Sequence, residues 1–126
     1  MFIEYNPSPT GAQVGDCAVR AVSKALGVDW DTAFVLLAAK GFSVKDMPNA
    51  NIVIDKVLRN FGFRRGIVSD DCPDCYTAED FASDHPEGTF VLCTGNMDHT
   101  VCVKNGDIYD SWNSSKEHPL FYWSKI

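Results

Sequence analysis

Cys17, His99 and Asp110 are the residues of this 126-residue chain whose types and settings point to covalent chemistry. Cys17 follows Gly15-Asp16 in the run VGDCAVRAV and opens a segment with helical spacing. A thiol attacks only as the thiolate, and its unperturbed pKa is about 8.5. The start of a helix offers free backbone N–H groups and partial positive charge, both of which favour a thiolate; a neighbouring imidazolium favours it more. Cys17 meets the first condition by position, and His99 is the candidate for the second. Gly15 allows a tight turn into the helix, and the Cys17 N–H is suited to receive charge developing on an attacked carbonyl oxygen. Asp16 reads either as lining this site or simply as the N-cap of the helix. Taken alone, a cysteine is most often a buried small apolar residue; the combination with His99 and Asp110 raises the chemical reading.

His99 and Asp110 are joined by a hairpin signal. Asn105-Gly106 suits a two-residue type I′ turn. That turn pairs Lys104 with Asp107, Val103 with Ile108, Cys102 with Tyr109, Val101 with Asp110, Thr100 with Ser111 and His99 with Trp112. Alternation then puts His99, Val101, Val103, Ile108, Asp110 and Trp112 on one face. His99 and Asp110 become diagonal neighbours, roughly 7–8 Å apart and within reach of an aromatic side chain. The carboxylate can orient the ring, and Trp112 beside them can keep water off the pair. A slip of one residue would separate them.

Several elements must position these groups. Cys17–Leu26 reads as a helix stopped by Gly27, and Trp30–Lys40 as a second, capped by Asp29 and ended by Gly41. Asn51–Phe61 reads as a third, and a short fourth begins at Thr77 as its cap. Residues 1–15 are rich in Pro and Gly and are expected to be extended, then turning. Phe63–Val68 reads as a short strand and Ser69–Cys75 as a loop. From Gly88 the period changes to two, giving strands at Thr89–Cys93, His99–Lys104, Asp107–Ser111 and Leu120–Trp123. Helices first and an antiparallel sheet second make an α+β arrangement, and the length suits a single domain over 1–126.

The stretches VGDCAVRAVSKALG at 14–27, HTVCVKNGDIYDSWN at 99–113 and the closing FYW at 121–123 resemble the papain-like cysteine peptidase superfamily. The chain looks more closely like small single-domain papain-like proteins of bacteria and their phages. The resemblance implies a papain-like fold, with N-terminal helices, the first opened by the cysteine, packed on a C-terminal antiparallel sheet. It also implies a triad of Cys17 as nucleophile, His99 as proton shuttle and Asp110 as the group that holds the ring. Papain-like enzymes carry an oxyanion glutamine shortly before the cysteine. Position 11, where it would stand, is Gly, so Gln13 and the more distant Asn6 are the candidates.

Other features carry less chemistry. Cys72-Pro-Asp-Cys75 is a CxxC, readable as a redox pair, half a zinc site or a tight loop with reduced thiols. The redox reading lacks a surrounding parallel crossover, and zinc would need further ligands such as Cys93, Cys102 or His85. His118 falls in a polar loop and is expected to be exposed. A net charge of −6 without a basic stripe disfavours a nucleic-acid partner. No apolar run approaches a membrane span. The first residues show no basic segment followed by an apolar one, so no signal peptide is expected. Five cysteines, an odd number, then read as free thiols in a reducing, cytoplasmic setting.

The leading expectation is a thiol hydrolase, cofactor-free, that cleaves a peptide, amide or isopeptide bond through an acyl-enzyme and takes a peptide or protein substrate. The alternatives are a catalytically silent papain-fold binding or inhibitory module and a CxxC metal or redox protein. Oligomeric state is not encoded in any of these features.

Overall fold

A computed structural model of the chain describes residues 1–68 and 75–125. Among these, four helices and six strands form in the order β1 (Phe2–Glu4), α1 (Cys17–Leu26), α2 (Trp30–Val44), α3 (Asn51–Asn60), β2 (Arg64–Ile67), α4 (Ala78–Asp84), β3 (Thr89–Thr94), β4 (His99–Lys104), β5 (Asp107–Asp110) and β6 (Pro119–Lys125). The chain is thus α+β, with a six-stranded sheet in the order β1-β5-β4-β3-β6-β2.

The hairpin forms as its turn residues require. Asn105 and Gly106 both have positive φ, 52° and 82°, as a type I′ turn demands. Lys104 pairs with Asp107, Val103 with Ile108 and Cys102 with Tyr109. The ladder ends there, so the outer pairs expected from Val101–Asp110 to His99–Trp112 do not form. Asp110 instead pairs with Glu4 of β1, and its carbonyl accepts the Tyr5 N–H at 2.7 Å.

That neighbour corrects the expectation of a purely antiparallel sheet. Phe2–Glu4 runs parallel to β5, so the sheet is mixed and is built from both ends of the chain. Three residues beside a Pro-rich stretch give too short an alternation to announce a strand.

Period-two burial sorts the sheet into two faces. Val91, Cys93, Cys102, Phe121 and Trp123 pack with α1, α2 and α3. Phe90, Leu92, Val101, Val103 and Ile108 pack with Phe81 and its neighbours on α4. Central β3 is buried on both sides. By alternation His99 belongs to the α4 face, whereas the helix bearing Cys17 packs on the other. The two meet because each is the first residue of its element.

The second helix overruns its expected stop. Gly41 is buried inside α2, which continues to Val44 and ends on Lys45 at φ 64°. A Cβ at Gly41 would lie 2.6 Å from the Asp46 carbonyl oxygen. The glycine is there for close approach: it lets the segment after α2 fold back against the helix and carry Pro48 and Asn49 towards the start of α1. At α4 the expected cap is present, with Thr77 and Asp80 forming a reciprocal capping box. No helix among the described residues is long and apolar enough to cross a membrane.

Candidate active site

Asp16 occupies the N-cap position of α1 but its side chain does not cap the helix. Its carboxylate is drawn away by two donors. Trp30 Nε1 donates to Oδ2 at 2.9 Å, and Arg20 Nη1 donates to Oδ1. The capping expectation for Asp16 is corrected: the first turn of α1 has no side-chain cap, and the positive end of the helix is left for Cys17.

Arg20, one turn further on, faces a second carboxylate. Its Nη2 donates to Asp110 Oδ1 at 3.0 Å. Asp110 is only 1% exposed, a costly position for a charge unless its lone pairs are satisfied. They are. Oδ1 also accepts the Ser111 N–H at 2.7 Å, while Oδ2 accepts Ser114 Oγ at 2.6 Å and faces His99 Nε2 at 2.7 Å. Burial works to raise the Asp110 pKa, but the hydrogen bonds from His99 and Ser114, the His99 charge and the Ser111 N–H outweigh it and hold the carboxyl below its ordinary value.

With Nε2 turned to Asp110, Nδ1 is the ring nitrogen of His99 left for Cys17. Desolvation works against the charged ring. It is overcome by the hydrogen bonds to Asp110 and Cys17 and by their charges, which push His99 up to about 9. Cys17 responds in the opposite sense. Desolvation would raise it, yet the hydrogen bond with His99, the Thr100 backbone N–H and the charges of His99 and Arg20 together lower it. These shifts favour a thiolate beside an imidazolium.

The other free thiols behave differently. Cys17, Cys93 and Cys102 are free, but burial pushes Cys93 up to about 11 and Cys102 up to about 12. Cys17 alone among them is activated. Cys75 is disulfide-bonded, which corrects the expectation of free thiols throughout. Cys72, the other half of the CxxC, lies outside the described residues. Among those described, no group of three or more His, Cys, Asp and Glu side chains is arranged to hold a metal ion.

Trp112 lies against His99 as expected, with ring centroids 4.8 Å apart at an interplanar angle of 37°. It is 47% exposed, so it covers one side of the imidazole while keeping its own outer face in water. The oxyanion candidates fare less well. The Asn6 amide donates to the Gly11 and Ala12 carbonyls at 3.4 Å each, and its oxygen accepts the Ser8 N–H. Asn6 is therefore engaged in its own loop, and Gln13 is exposed. Two other asparagines share the thiol's cleft: Asn49 and Asn51 line a space of about 240 Å³ together with Cys17, Met97, Asp98 and Thr100, and the Asn51 amide donates to the Met97 carbonyl at 3.3 Å. His118 is half-buried, not exposed, with Nδ1 donating to the Tyr76 carbonyl.

Sequence reasoning missed Arg20, Ser114 and Trp30. Asp16 and Arg20 stand four apart on one helix turn, a spacing that was readable as a pair; its burial and its link to Asp110 were not. The result is a closed circuit of side chains, from Cys17 through His99, Asp110 and Arg20 to Asp16, the residue bonded to Cys17. No protein-family model, curated protein or solved structure matches the chain.

Proposed function

We propose that the protein is a papain-like thiol hydrolase that cleaves a peptide, amide or isopeptide bond. The observation that carries this reading is the lowered Cys17 thiol, set against a raised His99 whose second nitrogen is bound to a buried carboxylate. The chain order of Cys, His and Asp supports it as well.

In the proposed reaction the Cys17 thiolate bonds to the substrate carbonyl carbon, and the carbonyl electrons move to oxygen. The uncapped N–H groups at the start of α1 suit that oxyanion. The imidazolium of His99 protonates the leaving nitrogen as the C–N bond breaks, leaving a thioester on Cys17. Neutral His99 then takes a proton from water as the water oxygen attacks the thioester. The C–S bond breaks, the acid departs, and the thiolate–imidazolium pair is restored. Asp110 stays ionised and keeps Nε2 occupied throughout.

A library of fluorogenic peptide amides tests the proposal. Turnover by the wild type is expected to disappear in Cys17→Ala, and a mass increase equal to the acyl group is expected on Cys17 in quenched reactions. The engagement of Asn6 in its own loop favours the second reading, a binding or inhibitory module. A wild type that captures peptides without turnover, and a Cys17→Ala variant that captures them equally well, would replace the hydrolase with that module.

A further inference from the structure

α2 is apolar on two faces. Ala33, Leu37 and Gly41 are buried against the rest of the fold. On the outside Phe34 is 43% exposed, Val35 63% and Phe42 76%, and Ala39 is exposed beside them. A helix lying on a protein surface keeps one apolar stripe for the core and turns a polar face to water. Apolar side chains on both sides are the pattern of a helix covered on both sides, and rings as large as Phe34 and Phe42 held open to water mark a contact surface.

The order of residues along the outer face says what covers it. Asp31, Val35, Ala38, Phe42 and Lys45 follow one another at intervals of four, three, four and three positions, the alternation of a coiled-coil seam. The seam spans about 21 Å. It begins with an acid and ends with a base, and the half-buried Ala38 is at its midpoint. Laid antiparallel on a second copy about Ala38, the seam sets Asp31 against Lys45, Val35 against Phe42 and Ala38 against itself. Both charge contacts are then between opposite signs. A parallel arrangement would bring acid onto acid and base onto base. Ala38 adds no bulk at the point where the two helix axes approach most closely. Lys45 is the C-cap of α2, and its ammonium folds back over the seam, 4.1 Å from the centroid of the Phe42 ring. Beside Val35, α2 and α3 leave a groove of about 240 Å³ walled by Leu36, Ala39, Val57 and Phe61, and the antiparallel seam brings the Phe42 ring of the second copy to its mouth.

We propose that the outer face of α2 is a homodimer interface, covered by the same face of a second copy running antiparallel about a two-fold axis at Ala38. Such a contact is isologous, each copy giving and receiving the same residues. The proposal stands independently of the thiol-hydrolase reading, since no seam residue lines the cleft of Cys17.

Sedimentation velocity on the full chain tests it. One helix pair is a small interface, so a single saturable monomer–dimer equilibrium is expected between about 5 µM and about 500 µM, with a dissociation constant below about 100 µM. Phe42→Lys, at an exposed position, should weaken association at least ~10-fold. Asp31→Lys should weaken it as well, and adding Lys45→Asp to that variant should restore it, a rescue available only where the two positions face each other. Urea denaturation of each variant at the lowest concentration checks that the fold is intact. A chain that stays monomeric at the highest concentration would overturn the second copy as occupant and leave the face to a different partner. Dimers untouched by Phe42→Lys, or tightened by Asp31→Lys, or not rescued by the double substitution, would overturn the antiparallel seam.

Discussion

Asp110 is the residue on which the site's charges converge. It joins the imidazole that faces Cys17 to the guanidinium that faces Asp16, and all four of its lone-pair directions are taken. Asp110→Asn should strand Arg20 with one carboxylate and withdraw the anion that keeps His99 charged. Breaking a buried pair in this way costs about 3–5 kcal/mol, measurable by urea denaturation at pH 7. The pH dependence has a definite sign. Asp110 is depressed in the folded protein, so its stabilisation is present above the unfolded value of about 3.9 and is lost as pH falls through the folded one. The gap between wild type and Asp110→Asn should therefore close in strong acid. Hydrolysis by the wild type should rise through the lowered Cys17 value and fall as His99 deprotonates near pH 9. The grouping of Cys17, His99 and Asp110 was legible at this scale because each sits at an element boundary marked by neighbours: Gly-Asp before Cys17, and the Asn-Gly turn between His99 and Asp110. Arg20 was hidden, because a charged residue four positions from an aspartate reads as a solvated pair, and only the packing of α1 on the sheet shows it to be 5% exposed.

At the scale of elements, the misread end of α2 bears on the site. Gly41 read as a helix stop because glycine commonly ends helices. Its actual role is to let the backbone of Asp46 approach α2, a tertiary contact that sequence periodicity does not register. Gly41→Ala places a Cβ against a backbone carbonyl oxygen, and overpacking of this kind costs roughly 1–3 kcal/mol. The segment carrying Pro48 and Asn49 should shift as a consequence. Reaction of peptide probes with Cys17 is expected to slow, while iodoacetamide labelling, which depends on the thiol's own partners His99, Thr100 and Arg20, stays near the wild-type rate. An equal loss for both reagents would show that the segment supports the thiol itself. The hairpin lies at the other extreme of legibility. Its turn chemistry is local and strong, and its register followed from two residues.

Across the whole molecule, the sheet gathers distant parts of the chain around one end of α1. β1 comes from the first residues, β5 from the last third, and their parallel pairing sets Glu4 beside Asp110. A parallel neighbour is not readable from alternation in a three-residue strand, so this long-range closure stayed hidden although most of the sheet was anticipated. Its consequence is testable by removing residues 1–4. The edge of β5 would lose its pairing and the Tyr5–Asp110 backbone bond would lose its support. Asp110 should then hold His99 less firmly, and labelling of Cys17 should require a higher pH than in the intact chain. An unchanged labelling profile would mean that the hairpin and Arg20 suffice to fix the carboxylate.

The most direct test of the central claim is the rate of iodoacetamide alkylation at Cys17, Cys93 and Cys102, resolved by mass spectrometry between pH 4 and pH 9. Cys17 is expected to react well below pH 7 while the two buried thiols, raised to about 11 and about 12, stay inert. In His99→Ala the low-pH reactivity of Cys17 should vanish. A Cys17 that titrates near an ordinary thiol, or that keeps its low-pH reactivity without His99, would contradict the pairing on which the proposed chemistry depends.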